Sequence, residues 1–181
     1  IKSLLSFLPD SCQTPLAATD CADSADRICS ELDTIMPDKV NRAYDMKKII
    51  KSLADNGEMF EPMEMWAQNM VVAFIRVMGQ TVGVIANNPR FMGGVLDVNA
   101  SDKASRFIRF CDAFNIPLLT FTDVPGYMPG TNQEWAGIIR HGAKLLHAYS
   151  EATVPKLTVI TRKAYGGAYL GMCSKQLGAD Y

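Results

Sequence analysis

Three small residues, Gly166, Gly167 and Ala168, separate an apolar stretch from a segment with helical character. The stretch before them, at residues 157–160, is apolar on both sides and predicts a short strand. The residues after them, 169–177, can begin a helix. A strand that ends on small residues at a helix N-terminus presents unpaired backbone N–H groups, and the helix dipole adds positive potential there. Such a turn can hold an oxyanion that develops during a reaction.

The same turn has a structural alternative. Glycine lets other groups approach the backbone closely, so Gly166 and Gly167 can also pack a helix on a strand without binding any ligand. A phosphate-binding P-loop is disfavoured, because no Gly-Lys-Ser or Gly-Lys-Thr follows the glycines. The turn therefore predicts either a backbone oxyanion site or a packing device.

Apolar periodicity predicts the elements that must position this turn. A hairpin is expected at Gly79-Gln80, where a leading glycine suits a type II′ turn. Ser101 is the predicted N-cap of one helix, and Thr131 with Glu134 forms a predicted capping box for another. The elements in order are a helix at 45–55, strands at 70–78 and 81–86, a helix at 101–115, a strand at 116–123, a helix at 131–151 and the strand at 157–160.

Strands that alternate with helices predict an α/β protein with parallel pairing and right-handed crossovers. Three of the strand ends carry glycine connections, at residues 93–94, 125–126 and 166–167. Sites in layered folds of this class gather where strands pass into helices. We therefore expect a site along the edge of the sheet where these loops lie.

Composition restricts the class of function. The chain of 181 residues has a formal net charge of -1, which gives no electrostatic basis for binding nucleic acid or an anionic membrane. No apolar run approaches the roughly 20 residues of a spanning helix. The five cysteines form no Cys-x-x-Cys pair, so no metal site is predicted and a reducing compartment is favoured. Residues 1–43, interrupted by prolines, predict an irregular linker ahead of a compact domain at 44–181.

Three long segments resemble one enzyme family. Residues 123–130, 137–144 and 151–169 look like the carboxyltransferase (β) subunit of biotin-dependent acyl-CoA carboxylases. The resemblance is to the type represented by the propionyl-CoA carboxylase β chain and the sodium-pumping methylmalonyl-CoA decarboxylase α subunit. Residues 106–117 fit the same pattern, so the resemblance covers nearly the whole chain.

The resemblance implies a crotonase-type (ClpP/crotonase) fold built of ββα units. Subunits of this family contain two such domains. This chain resembles the segment between them, at residues 1–43, followed by the second carboxyltransferase domain, at 44–181, incomplete at its C-terminus. The implied cofactor is biotin on a biotin carboxyl carrier protein or domain, and the implied substrate is an acyl-CoA. A homo-oligomer is implied as well, with no bound nucleic acid and no membrane insertion, in the cytoplasm, in the mitochondrial matrix or peripheral to a membrane pump.

The resemblance also assigns site residues. In the family, the glycine loop of this domain holds the ureido oxygen of biotin, so the expected catalytic groups here are the backbone N–H groups of Gly167 and Ala168. The cofactor itself takes the α-proton of the acyl thioester, and no acid–base pair of the protein is required. Further contacts with biotin or the acyl group are expected at Gly166, Tyr169, Leu170, Gly126, Tyr127 and His141.

Several of these side chains have structural alternatives. Tyr127 can wall the substrate pocket or simply pack, and His141 can line the site or lie outside it. Asp97 and Asp123 stand at strand ends, where a carboxylate can act as a general base or cap a turn. Leu170 replaces the aspartate or isoleucine that the family commonly carries, so the acyl group that it selects stays open.

The sequence thus predicts carboxyl transfer between carboxybiotin and the α-carbon of a short-chain acyl-CoA. The same exchange run towards biotin would make the parent protein a biotin-dependent decarboxylase, and the sequence does not set the direction. A non-catalytic fragment that supports oligomerisation only is an alternative from a different class.

Overall fold

The structure is a computed structural model that describes residues 1–24, 26–39 and 41–181. One sheet lies at its centre, and its strands are β1 (Met59–Phe60), β2 (Met70–Val77), β3 (Gln80–Asn87), β4 (Leu118–Val124) and β5 (Lys156–Ala164). The strands lie side by side in chain order. β1, β2 and β3 pair antiparallel, whereas β3, β4 and β5 pair parallel. This mixed sheet confirms the predicted α/β class, with a hairpin first and helical crossovers after it.

The described residues contain seven α-helices, which connect and cover the strands. They are α1 (Lys2–Leu5), α2 (Leu32–Ile35), α3 (Met46–Leu53), α4 (Val98–Ala113), α5 (Thr131–Ala136), α6 (Ile138–Glu151) and α7 (Gly166–Gly171). Across those three ranges of residues, every helix is too short or too polar to cross a membrane.

The core consists of two apolar layers, one on each face of the sheet. Side chains of β2 alternate between them, as expected for a strand. Val72 and Phe74 pack with residues of α4 and α6, whereas Val71 and Ala73 pack with residues of α3. β2 is therefore buried on both faces from Met70 to Ile75, which explains the apolar run over those six residues.

The hairpin turn differs from the predicted type. Val77 pairs with Gln80, so the two central residues are Met78 and Gly79. Both have positive φ, 55° and 76°, which defines a type I′ turn instead of type II′. The Asp55 carboxylate accepts hydrogen bonds from both turn amides, at 3.0 and 2.7 Å, and this tertiary contact stabilises a turn whose first central residue is a methionine.

The N-cap of α4 is Asp97 instead of Ser101. The Asp97 carboxylate accepts a hydrogen bond of 2.8 Å from the Ala100 N–H, and the helix begins at Val98. Ser101 lies inside the first turn, where its hydroxyl donates to the Asp97 carbonyl at 2.9 Å. Asp97 therefore has the capping role that was the structural alternative to general-base work.

The helix predicted at 131–151 is interrupted. Gly137 adopts a left-handed conformation, with φ of 86°, and divides the segment into α5 and α6. Gly130 is the N-cap of α5, and no side chain caps the helix there, so the predicted capping box of Thr131 and Glu134 is wrong. Because of this break, α6 begins at Ile138 as a separate helix.

β5 extends four residues beyond the predicted end. Arg162 and Lys163, which lie beyond the predicted strand, belong to β5 and contact Asp123. The Arg162 Nε donates to one carboxylate oxygen at 3.0 Å, and the Lys163 N–H donates to the other at 3.1 Å. Asp123 is fully buried, and its carboxylate joins β4 to β5. Both carboxylate oxygens are engaged in these hydrogen bonds.

Residues predicted as a linker pack on the core, although they form only short helices. Phe7 is 4% exposed, and its ring centroid lies 6.2 Å from that of Phe74. The Arg76 guanidinium lies over the Phe7 ring, 4.2 Å from the centroid. Ala25 and Val40, which fall in the predicted linker, lie outside the described residues. The division into a linker and a domain at residue 44 stays a prediction.

A buried charge network joins α3, α4 and the loop after β1. The side chain of Lys103 is fully buried, and its Nζ donates to the Trp66 carbonyl at 2.8 Å. The Glu61 carboxylate lies 4.0 Å from Lys103 Nζ and 2.6 Å from Lys47 Nζ. Burial lowers the pKa of Lys103 to about 8, because desolvation penalises the ammonium form more than Glu61 favours it.

This pKa predicts a pH-dependent contribution to stability. Between pH 8 and 10.5, the unfolded chain binds more protons at Lys103 than the folded chain does, so the free energy of unfolding rises with pH. From pH 7 to pH 9.5, the stability of the wild type relative to Lys103→Met is expected to increase by about 1–2 kcal/mol. Urea unfolding at both pH values measures this difference, with Lys48→Met on the exposed side of α3 as the control. An equal difference at the two pH values would contradict the prediction.

Candidate functional site

A largely apolar pocket of about 480 Å³ lies between α6, α7 and the loop that follows β4. Gly167 and Leu170 of α7 form one side, and Tyr127 and Met128 of the loop form another. The α6 side is apolar, with the side chains of Ile138, Ile139, Ala143 and Leu146. The pocket therefore brings together the glycine turn and two of the side chains that the sequence singled out.

The backbone at the start of α7 is exposed at Gly166 and Gly167. Gly166 has a φ of 57°, which favours glycine, and the chain enters from β5 through a hydrogen bond between the Tyr165 N–H and the Val124 carbonyl. Within the described residues, the N–H groups of Gly167 and Ala168 donate to no backbone carbonyl. A Cβ added at Gly166 or Gly167 would meet no atom within 4 Å, so a ligand has room against the backbone.

Ala168 lies under this opening. The residue as a whole is only 1% exposed and its side chain belongs to the core, so its backbone N–H is the one group it could offer to a ligand. The N–H groups of a first helical turn have no intrahelical partner, and the helix dipole favours negative charge beside them. The geometry thus gives two adjacent donors, at Gly167 and Ala168, next to an apolar pocket.

The loop after β4 is fixed by Leu96. The Leu96 N–H donates to the Gly126 carbonyl at 3.0 Å, and the Met128 N–H donates to the Leu96 carbonyl at 2.7 Å. These bonds hold the backbone of Tyr127, whose ring lies beside Gly142 of α6. Burial raises the pKa of the Tyr127 phenol, so it stays protonated at neutral pH. Gly126 thus positions the pocket through its backbone and is not among the residues that line it.

His141 lies outside the pocket. Its Nδ1 is 2.8 Å from both carboxylate oxygens of Asp102, and Lys144 Nζ lies 3.0 Å from one of them. Burial raises the pKa of Asp102, but the hydrogen bonds from His141 and Lys144 outweigh it and lower that pKa overall. These contacts connect α6 to α4. The expectation that His141 contacts biotin or the acyl group stays a prediction.

Three further predicted site residues lie close to the pocket without lining it. Gly166, Ala168 and Tyr169 belong to the same short helix as Gly167 but do not line the pocket themselves. The sequence did not identify the α6 side chains as pocket residues. Their spacing at positions 138, 139, 142 and 146 was a signal, because it puts them on one face of a helix. Ile139 is 78% exposed, which shows that this face is not simply core.

Comparison with known proteins identifies one family of relatives along the whole chain. The profile of the carboxyl transferase domain matches residues 1–181. The methylmalonyl-CoA decarboxylase subunit alpha of Veillonella parvula is 59% identical over 180 residues, which are 99% of this chain and 35% of that protein. The mitochondrial propionyl-CoA carboxylase beta chain of Sus scrofa is 56% identical, over 99% of this chain and 33% of that protein. The chain thus spans about a third of the length of these relatives.

Solved structures of related enzymes have the same fold as this chain. The crystal structure of transcarboxylase 12S, with hydrolysed methylmalonyl-coenzyme A bound, superposes with a TM-score of 0.95 at 51% identity, over 99% of this chain and 35% of that one. The beta subunit of geranyl-CoA carboxylase from P. aeruginosa superposes with a TM-score of 0.80 at 28% identity, over 97% of this chain and 31% of that one. The crotonase-type fold expected from the sequence is confirmed. A profile match along the whole chain, with relatives above 50% identity, shows that the chain belongs to the carboxyl transferase domain family.

Proposed function

We propose that this chain is the second carboxyltransferase domain of a longer subunit. That subunit would transfer a carboxyl group between carboxybiotin and the α-carbon of a short-chain acyl-CoA. The observation that carries the proposal is the pair of adjacent backbone N–H groups at Gly167 and Ala168, which donate to no backbone carbonyl of the described residues, with Gly167 lining an apolar pocket. The similarity to transcarboxylase 12S, whose structure contains hydrolysed methylmalonyl-coenzyme A, supports an acyl-CoA as the substrate class.

The residues present fit biotin and the reacting end of an acyl-CoA. The space in front of Gly166 and Gly167 is free of protein atoms, and the adjoining walls from α6 are apolar. When bound, carboxybiotin supplies the carboxyl group and a ureido oxygen that gains negative charge as that group leaves. The Gly167 and Ala168 N–H groups would donate to this oxygen, and fixed donors in a water-poor pocket stabilise such charge more strongly than water does.

The protein side chains orient and enclose the reaction. Asp97 caps α4, and Asp123 is paired with Arg162, so neither carboxylate is free to take a proton from substrate. This agrees with a mechanism in which the cofactor takes the α-proton. Leu170 and Tyr127 limit the pocket at the turn, where the acyl group would lie. Their role is to exclude water and to select the acyl group.

A decarboxylase is the second candidate. The methylmalonyl-CoA decarboxylase subunit alpha of Veillonella parvula is 59% identical to the chain, slightly more than the carboxylase beta chains. Both activities need the same donors, because the same ureido oxygen gains or loses charge in either direction. The direction therefore depends on the other parts of the enzyme. Purified full-length protein distinguishes the two candidates by whether it carboxylates propionyl-CoA or releases CO₂ from methylmalonyl-CoA.

The partners follow from the same proposal. A biotin carboxyl carrier protein or domain would deliver the cofactor, and the first domain of a neighbouring subunit would complete the acyl-CoA site. The exposed face of α5 and α6 fits a homo-oligomer, since Trp135 is 84% and Ile139 78% exposed beside the pocket. Transcarboxylase 12S forms a hexamer, which supports this arrangement. The expected location is the cytoplasm or the mitochondrial matrix, or the surface of a membrane pump if the protein is a decarboxylase.

Substitution of Gly167 tests the site directly. Gly167 has an ordinary helical backbone with open space around its missing Cβ, so Gly167→Ala should fold normally. The added methyl group would hold the ureido oxygen away from both donors. In the full-length protein, biotin-dependent transfer should fall towards the roughly 10²–10³-fold loss that removal of one oxyanion donor causes. Wild-type transfer by a folded variant would show that the turn is only a packing device.

Leu170 is predicted to influence the choice of acyl group. It lines the pocket next to Gly167 and differs from the aspartate or isoleucine expected at its position. In the full-length protein, Leu170→Asp should change the ratios of kcat/KM among acetyl-, propionyl- and butyryl-CoA by about tenfold, since one methylene in an apolar pocket is worth about 1–3 kcal/mol. His147→Gln, exposed on α6 and outside the pocket, is the control and should keep the wild-type ratios. Equal ratios in Leu170→Asp would place this residue outside the acyl site.

A further inference from the structure

The ring of Tyr127 occupies a slot that two glycines leave open. A Cβ on Gly142 of α6 would lie 3.0 Å from Tyr127 Cε1, closer than side chains normally approach. A Cβ on Gly171 of α7 would lie 2.7 Å from the Tyr127 hydroxyl oxygen, which is a steric clash. The phenol therefore fills the space between the two helices that wall the pocket.

The Tyr127 hydroxyl has no hydrogen-bond partner among the described residues. Its oxygen is buried, and within the described part of the chain no donor or acceptor pairs with it. A buried hydroxyl without a partner costs stability, because it loses its bonds to water. By contrast, the hydroxyl of Tyr149, buried on the inner side of α6, pairs with Thr120 Oγ1 at 2.9 Å. What the Tyr127 hydroxyl contributes in the structure is its volume against Gly171.

The ring cannot retreat from this slot. The backbone of Tyr127 is held by the two hydrogen bonds of Leu96, and Leu96 is fully buried. On the other side, the Leu96 Cδ1 would lie 3.7 Å from a Cβ on Gly171, so Leu96 supports α7 as well. Any change in the length of the phenol is therefore transmitted to α7, which carries Gly167 and Leu170.

We propose that Tyr127 is a spacer that sets the distance between α6 and α7, and through it the acyl groups that the pocket accepts. The specificity part rests on the proposed carboxyltransferase function, whereas the spacing part does not. Tyr127 is a positioning residue in this scheme, because it acts through the placement of α7. Its hydroxyl takes the volume that a side chain at position 171 would otherwise take.

A compensating pair of substitutions in the full-length protein tests the spacing. Gly171→Ala alone should lower Tm, because its methyl group meets the hydroxyl. Tyr127→Phe alone should leave Tm unchanged or raise it, since no hydrogen bond is lost. In the double variant, the nearest atoms to the new methyl are Cζ of residue 127 at 3.6 Å and Leu96 Cδ1 at 3.7 Å, which are ordinary contacts. Tyr127→Phe should therefore restore the Tm of Gly171→Ala.

The acyl-CoA ratio tests the consequence for the pocket. In Tyr127→Phe, the shorter ring lets α7 move towards α6 and narrows the pocket, so kcat/KM for butyryl-CoA relative to propionyl-CoA should fall on the order of fivefold. In Gly171→Ala, the methyl group meets the fixed phenol and pushes α7 away from α6, so the ratio should rise. The double variant should return towards the wild-type ratio. Tyr149→Phe is the matched control, which should lower Tm by removing a real hydrogen bond and leave the ratio unchanged.

The outcomes separate the two proposals. Loss of Tm in Tyr127→Phe comparable to that in Tyr149→Phe, or no rescue of Gly171→Ala, would overturn the spacer. An unchanged acyl-CoA ratio in a folded Tyr127→Phe enzyme would overturn its role in specificity even if Gly171→Ala does not fold. A wild-type protein without any biotin-dependent transfer would instead contradict the proposed function, and rescue of Tm would still support the spacer.

Discussion

The buried carboxylate of Asp123 holds the end of β5 at the point from which the site is built. It binds the Arg162 guanidinium at 3.0 Å and the Lys163 N–H at 3.1 Å, while the Asp123 N–H donates to Asn87 Oδ1 at 3.2 Å. Three neighbouring strands, β3, β4 and β5, are therefore joined at their carboxyl ends by two side chains, that of Asp123 between β4 and β5 and that of Asn87 between β3 and β4. A buried ion pair contributes little net stability after desolvation, but it penalises any other register of the strands. The position of α7 depends on that register.

The sequence predicted the order of elements well because periodicity and turn residues act locally. Its errors lie where a distant residue decides between two reasonable local choices. Asp97 and Ser101 are both good N-caps, and Asp97 is favoured because it also accepts a hydrogen bond of 3.1 Å from Asn69. The hairpin turn is fixed by Asp55, more than 20 residues away in sequence. Neither partner is visible in a short window of sequence.

The site was predictable to the extent that it depends on backbone chemistry. Small residues between a strand and a helix indicate donors, and this indication led directly to Gly167. His141 shows the opposite case, because its partner Asp102 lies 39 positions away and draws the ring to the α4 side of the helix. The apolar wall of α6 was hidden for another reason. A stripe of apolar residues has the same pattern whether it packs in a core or lines a pocket, and only the position of α7 tells the two apart.

The donors at the start of α7 have a consequence for how this protein family can diverge. They belong to the peptide backbone, so replacement of a side chain at position 167 or 168 leaves the N–H group in place unless the new residue is proline. Selection on substrate range can therefore change Leu170 and the residues of α6 without removing the electrostatic feature next to them. If those N–H groups act as donors, an enzyme with this architecture could change its substrate through the side chains of α6 and α7 and keep the same chemistry.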